Sequence, residues 1–183
     1  IGDRVKLTLT VEIMAQHSNV ILFGEDGRIV DALRRVDSET SSYRLVLPGA
    51  QYKLPPPQEK IDIRNAEPQD ICDKIFSLSN QRLSSAILKT VQGVSPLISR
   101  EIAYRVTYDD KSVSELLSEE KMSLLCEISA LKTLILNGKP QPTMVLDENN
   151  KPMEFSYIPI TQYGSSYRFI EKENVFSLLE GFY

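Results

Sequence analysis

The chain of 183 residues has no tryptophan, one histidine (His17) and two cysteines (Cys72 and Cys126). A lone histidine without a cysteine cluster cannot supply the ligand set of a structural zinc site, so no metal is expected. The two cysteines stand far apart, each in a stretch with helical apolar spacing, so buried free thiols are expected and a disulfide is not. No apolar run approaches the roughly 20 residues of a membrane-spanning helix, and no signal-type apolar segment opens the chain, so membrane insertion is not expected. Position 1 is isoleucine and not methionine, which reads as a piece of a longer protein. The chain has no Walker loop, G-x-G-x-x-G, G-x-S-x-G or H-E-x-x-H, so nothing in it points to an enzyme or to a cofactor. With a net charge of −4, any contact with nucleic acid must be a local patch and not a general affinity.

What is present is globular: 42% apolar and 25% charged residues. The pattern is α+β. Val5–Met14 alternates Val5, Leu7, Leu9, Val11 and Ile13 with polar residues, which predicts a strand with one buried face. Val20–Phe23 and Ile29–Val36 follow as strands around the Asp26-Gly27 turn, and Tyr43–Leu47 and Tyr52–Leu54 as short extended pieces around Pro48-Gly49. Pro55-Pro56-Pro57 ends this antiparallel module at 1–57. Residues 58–66 read as a linker, and 67–140 as a helical module. Glu67-Pro68 opens a helix carrying Ile71, Ile75, Phe76 and Leu78. Ser112 with Glu115 has capping-box spacing, and a longer helix over 119–136 stops at Gly138 and Pro140. Residues 141–183 return to a β hairpin (Pro142–Leu146 and Met153–Ile160) and close on a helix over Asn174–Tyr183.

Within the helical module, residues 82–105 read as two short helices around one tight turn. Leu83, Ile87 and Val91 repeat at helical spacing, Gln92-Gly93-Val94 breaks the pattern, and Ser95-Pro96 restarts it with a capping serine and a proline at the first helical position. A glycine turn leading into a capped helix leaves backbone N–H groups able to hold a phosphate. Arg82, Lys89, Arg100 and Arg105 stand against Glu101 alone, a local charge of +3. A helical hairpin that only packs on its neighbours satisfies the same residues. Ser95 also stands where nucleic-acid-binding versions carry a second glycine.

Other groups carry weaker signals. Glu12 and His17 flank the first connection, but no nucleophile accompanies them, and polar contacts to backbone account for both. Arg34 and Arg35 alternate across a strand and cannot share one patch. Asp3-Arg4 reads as a solvated pair. Tyr157, Tyr163 and Tyr167 can stack on bases, although ordinary packing explains them equally well.

Four stretches carry a resemblance. VEIMAQHSNVILF (Val11–Phe23) resembles the E-I-M-G-[KR]-H-S-N-[IV]-I-L signature of the fibronectin-binding protein A family, also called NFACT or RqcH-type proteins. YRLVLPGAQYKLPPPQEK (Tyr43–Lys60) is similar to its Y-R-x-[IL]-L-P-G segment, QGVSPLISREIAYR (Gln92–Arg105) to its helix-hairpin-helix, and PMEFSYIPITQY (Pro152–Tyr163) to its following β segment. The resemblance spans nearly the whole chain and implies a streptococcal source. It implies that 1–57 is part of an N-terminal half resembling the formamidopyrimidine-DNA glycosylase fold, and that the chain leads into an absent coiled coil. Glycosylase activity is not implied, since the chain opens Ile1-Gly2 without a proline nucleophile. The resemblance further implies binding of tRNA and the large ribosomal subunit. It points to a ribosome quality-control factor that directs C-terminal tailing of stalled nascent chains, in the cytoplasm on ribosomes. The alternative it carries is a cell-surface adhesin for fibronectin or fibrinogen. The residues carried over are Glu12, His17, Ser18 and Asn19 in the first signature and Gly93, Val94 and Ser95 in the hairpin, with Lys89, Arg100 and Arg105 as cations for phosphate. Ala15 and Gln16 depart from the family's glycine and Lys/Arg, and its functional Asp-Arg pair is expected upstream, not at Asp3-Arg4.

Overall fold

The computed structural model describes residues 5–14, 17–56 and 59–183, arranged as two compact units, 1–57 and 58–183. Asp3-Arg4, Ala15-Gln16 and Pro57 lie outside the described residues.

The first unit is built on an antiparallel sheet in the order β1 (Leu7–Glu12), β2 (Asn19–Gly24), β3 (Ile29–Ala32). The turn before β3 depends on Gly27, whose φ of +74° is the left-handed conformation that an Asp-Gly turn needs. The later extended pieces make only single bridges, Val36 to Val46 and Arg28 to Gln51. Ile21, Ile29 and Val46 form the core, with the Phe23 and Tyr52 rings stacked 4.5 Å apart beside it.

Here the expected burial of β1 is overturned. Leu9, Val11 and Ile13 are 64%, 61% and 87% exposed, and the buried residue of the strand is Glu12. Thr10 pairs with the core residue Ile21, whereas Leu9 and Val11 pair with Leu22 and Val20 on the other side of the sheet. Alternation reveals which side chains share a face. It does not reveal which face the described residues cover.

The second unit contains α1 (Pro68–Phe76), α2 (Leu83–Thr90), α3 (Pro96–Thr107) and α4 (Ser118–Asn137), then β4 (Thr143–Leu146), β5 (Pro152–Ser156), β6 (Arg168–Glu171) and α5 (Val175–Phe182). Its sheet is antiparallel in the order β5-β4-β6. Every residue of β4 is buried. Val145 joins the large helical core around Ile71, Ile87, Ile102 and Ile128, while Met144 and Leu146 pack with Leu178 of α5 on the opposite face. Ile158 and Ile160, expected as strand, lie beyond β5 and fill the helical core. Pro159 between them has no N–H to donate to a ladder.

Residues 59–66 are held against the helices: Ile63 is buried and Ile61 pairs with Val91. Cys72 is buried, and burial raises its thiol pKa to about 11. Cys126, in contrast to the expectation for both thiols, is exposed on α4. Among the described residues, no helix is long and apolar enough to cross a membrane, and no cluster of three His, Cys, Asp or Glu side chains can hold a metal.

Candidate nucleic-acid interface

The α2–α3 hairpin is fixed from beneath. Val94, Leu97 and Ile98 are buried, and the chain leaving α2 is pinned by Ile61, whose N–H donates to the Thr90 carbonyl at 2.7 Å and whose carbonyl accepts from the Gln92 N–H at 2.9 Å. What remains outside is the tip: Gln92, Gly93, Ser95 and Pro96 are exposed. Gly93 has φ +80° and would direct a Cβ into open space. The Ser95 hydroxyl caps α3 by accepting from the Ile98 N–H at 3.3 Å. The Gly93 and Ser95 amides have no hydrogen-bond acceptor among the described residues. An exposed turn with unsatisfied N–H groups at a helix start is suited to an anion.

The cations counted along the sequence do not all face this tip. Lys89, at the end of α2, is exposed and has no partner among the described residues. Arg82 donates to the Asp110 carbonyl at 3.0 Å. Arg100 lies 3.4 Å from both Glu154 and the Tyr163 hydroxyl, which itself donates to Glu154 at 2.5 Å. Arg105 is the most engaged. Its guanidinium meets Glu101 at 2.8 Å, Glu127 at 3.3 Å and the Pro159 carbonyl at 2.6 Å. Tyr157, Tyr163 and Tyr167 pack, partly buried, against the helical core.

Glu101 was not singled out by the sequence and organises this side of α3. It is 0% exposed and accepts from the Thr161 N–H at 2.9 Å, the Thr161 hydroxyl at 2.6 Å and the Gln162 N–H at 3.0 Å, in addition to Arg105. Burial pushes its pKa up, but the bonds from Thr161, Arg105 and Gln162 outweigh this and hold it below the usual carboxylate range. The four-residue spacing from Glu101 to Arg105 is the signal in the sequence that could have revealed the pair.

In the first unit, the quoted stretches 11–23 and 43–60 meet at one ion pair. Glu12 accepts from Arg44 through both oxygens, at 2.7 and 2.5 Å, and from the Tyr52 hydroxyl at 3.1 Å. The Arg44 bond holds the Glu12 pKa down. Asn19 closes the sheet end, donating to the Arg34 carbonyl at 2.8 Å and accepting the Arg34 N–H at 2.9 Å. Ser18 accepts the Met14 N–H at 3.0 Å. Glu12, Ser18 and Asn19 thus make contacts that hold the loop and sheet, and His17 is the exposed member of the set. Three of the lone-pair sites of the Glu12 carboxylate are thus taken by Arg44 and Tyr52.

A β-sheet unit is followed in the chain by a helical hairpin unit with a returning three-stranded sheet. The chain belongs to the family of NFACT N-terminal and middle domains, whose model matches residues 1–183. It is 41% identical over 112 residues to the Rqc2 homolog RqcH of Bacillus subtilis, which covers 61% of this chain and 20% of the relative. It is 32% identical over 148 residues to the Rqc2 homolog RqcH of Streptococcus pneumoniae, covering 78% of this chain and 26% of the relative. The chain therefore spans about a fifth to a quarter of the length of these relatives. Among solved structures, the fibrinogen binding protein of Staphylococcus aureus matches with a TM-score of 0.66 and 26% identity, covering 100% of this chain and 61% of that one. The α+β fold with two antiparallel three-stranded sheets is shared with that neighbour.

Proposed function

We propose that this chain is the RNA-facing part of a ribosome quality-control factor. It binds tRNA and the large ribosomal subunit, and the factor directs C-terminal tailing of stalled nascent chains in the cytoplasm. Its part is binding and not catalysis. The observation that carries this reading is the α2–α3 hairpin: an exposed tip with a positive-φ glycine, a serine-capped helix start, two amides without acceptors among the described residues and, in the last turn of α2, the exposed Lys89, likewise without a partner among them. Such a tip recognises backbone phosphate and not base sequence. Family membership and the RqcH relatives support the ribosomal setting.

The test is tRNA binding by the full-length protein across a salt series. Affinity falls as salt rises if phosphate contacts contribute. Gly93→Ala, which puts a side chain at a φ of +80° and so strains the turn that presents the amides, weakens binding while circular dichroism stays native. Salt-independent binding, or an unchanged affinity in Gly93→Ala, removes the hairpin from the interface.

A second reading has one observation in its favour, the similarity to a staphylococcal protein described as fibrinogen binding. In that reading the chain is a surface adhesin module. Titration with fibrinogen and with fibronectin decides it: saturable binding supports the adhesin reading, and its absence removes it.

A further inference from the structure

In the first unit the cations are differently placed. A cleft of about 520 Å3 opens beside the loop that connects β3 to the Val46 bridge, and its lining holds Arg28, Arg44 and Lys53 with Ser38, Ser42 and Tyr43 but no carboxylate. That is an uncommon wall in a chain of net charge −4. Arg44 is neutralised by Glu12. Arg28 has one acidic neighbour, Asp26 at 3.8 Å, in a pair whose side chains are 65% and 64% exposed, and such pairs attract weakly. Its Nη1 donates to the Gly49 carbonyl at 2.9 Å, which fixes the guanidinium at the wall. The Lys53 ammonium is exposed and, among the described residues, has no partner. The hydroxyls of Ser38 and Ser42 likewise have no partner there. Tyr43 is 56% exposed. Within the loop, Asp37 accepts from the Glu39 and Thr40 N–H groups and the Thr40 hydroxyl.

We propose that this cleft binds the phosphate of a nucleotide, with Arg28 and Lys53 on the phosphate oxygens, the serine hydroxyls as further donors and the Tyr43 ring available to stack on the base. Guanidinium and ammonium groups on phosphate make charge-assisted bonds, stronger than neutral ones. An exposed aromatic ring beside a cationic groove is the arrangement that holds a single-stranded base without reading its sequence. The volume falls in the range of small-ligand sites, roughly 300–1,000 Å3. The proposal goes beyond the hairpin reading and uses none of its residues.

The experiment is a titration of the 183-residue chain, observed at backbone amides by NMR, with sodium phosphate, adenosine monophosphate and a uridine hexanucleotide in separate arms. The nucleotide and the hexanucleotide are expected to shift the amides of 38–44 and 49–53 saturably, and more tightly than phosphate. Lys53→Ala weakens the monophosphate about tenfold, the loss of one charge-assisted bond, and the Arg28→Ala/Lys53→Ala pair weakens it further. The response is read at the amides of 38–44 and 49–53 separately from those of 92–95, so the hairpin reading and this one fail separately. The proposal is overturned if neither nucleotide shifts these amides, if inorganic phosphate binds as tightly as the nucleotide, which would mark an adventitious ion only, or if Lys53→Ala leaves affinity unchanged. A hexanucleotide that moves only amides near Gly93 overturns the cleft and leaves the hairpin standing.

Discussion

Both units remove a glutamate from water and set it against an arginine, but they surround the pair differently. Glu12 takes all its donors from side chains, two from Arg44 and one from Tyr52. Glu101 takes only part of its set from Arg105 and the rest from the Thr161 hydroxyl and two backbone amides. Backbone donors cannot rotate away, so Glu101 remains satisfied in part whatever its arginine does. Glu12 depends on one side chain. The first unit thus uses its glutamate to join two distant stretches of strand and loop. The second uses its glutamate to bind a helix to a loop that has no other ladder to hold it.

The comparison predicts an order of effects. Glu101→Ala is the largest, because it leaves the Thr161 N–H, the Thr161 hydroxyl and the Gln162 N–H without their acceptor; breaking a buried pair from one side costs about 3–5 kcal/mol. The urea midpoint of the second unit, followed by amide exchange at Thr161 and Gln162, measures it. Arg44→Ala comes next, at about 2–3 kcal/mol in the first unit, since Glu12 is left with the Tyr52 hydroxyl alone. Arg105→Ala is smaller, about 1–2 kcal/mol, because Glu101 keeps its other donors. If Arg105→Ala costs more than Arg44→Ala, backbone donors do not protect the buried carboxylate and the contrast between the units fails.

Acid sharpens the same contrast. Both carboxylates are held below their ordinary pKa in the folded chain, Glu12 chiefly by Arg44 and Glu101 by its bonds against the opposing effect of burial. A depressed folded pKa stabilises above the unfolded value, about 4.3 for glutamate, and the stabilisation is lost as pH falls through the folded pKa. Stability is therefore expected to be flat in these two groups from pH 6 to 8 and to fall below about pH 5. Glu12→Gln flattens the fall in the first unit and Glu101→Gln in the second, read from urea midpoints at pH 3, 4 and 6. An unchanged slope in either variant removes that carboxylate as a source of acid sensitivity.

Much of this architecture was legible from local chemistry. The helices announced themselves through caps and periodicity: Ser95-Pro96 starts α3, and Gly138, at φ +60°, ends α4. The Asp26-Gly27 turn and the tight turn at Gly93 were equally plain. What failed was information held by distant partners. The apolar stripe of β1 was visible, but its solvent exposure depends on what packs on that face. β6 is not legible in the sequence because its four residues, with Phe169 and Ile170 adjacent, are too few to set a period, and pairing with β4 defines the strand. Cys126 shares the periodicity of α4 yet lies on its exposed side. At the candidate interface, the turn residues were found from sequence, and the charge count was misleading. A sum of +3 cannot distinguish Lys89, which faces solvent, from Arg105, whose bonds to Glu101, Glu127 and Pro159 are internal.

The smallest expected change in stability therefore tests the interface most cleanly. Lys89→Glu alters an exposed side chain with no partner among the described residues, and such substitutions stay within about ±0.5 kcal/mol. Reversing this charge beside the hairpin tip weakens tRNA binding by the full-length protein across sequences alike and lowers the salt slope by about one. Arg105→Glu is the wrong variant for that purpose. It places a second acidic side chain against the buried Glu101, and any loss of binding would report unfolding. The contrast in one measurement is then stable protein with weakened RNA binding for Lys89→Glu, against destabilised protein for Arg105→Glu. Full tRNA affinity in Lys89→Glu would leave the hairpin as a packing element and shift the search for phosphate contacts to the cations of the first unit.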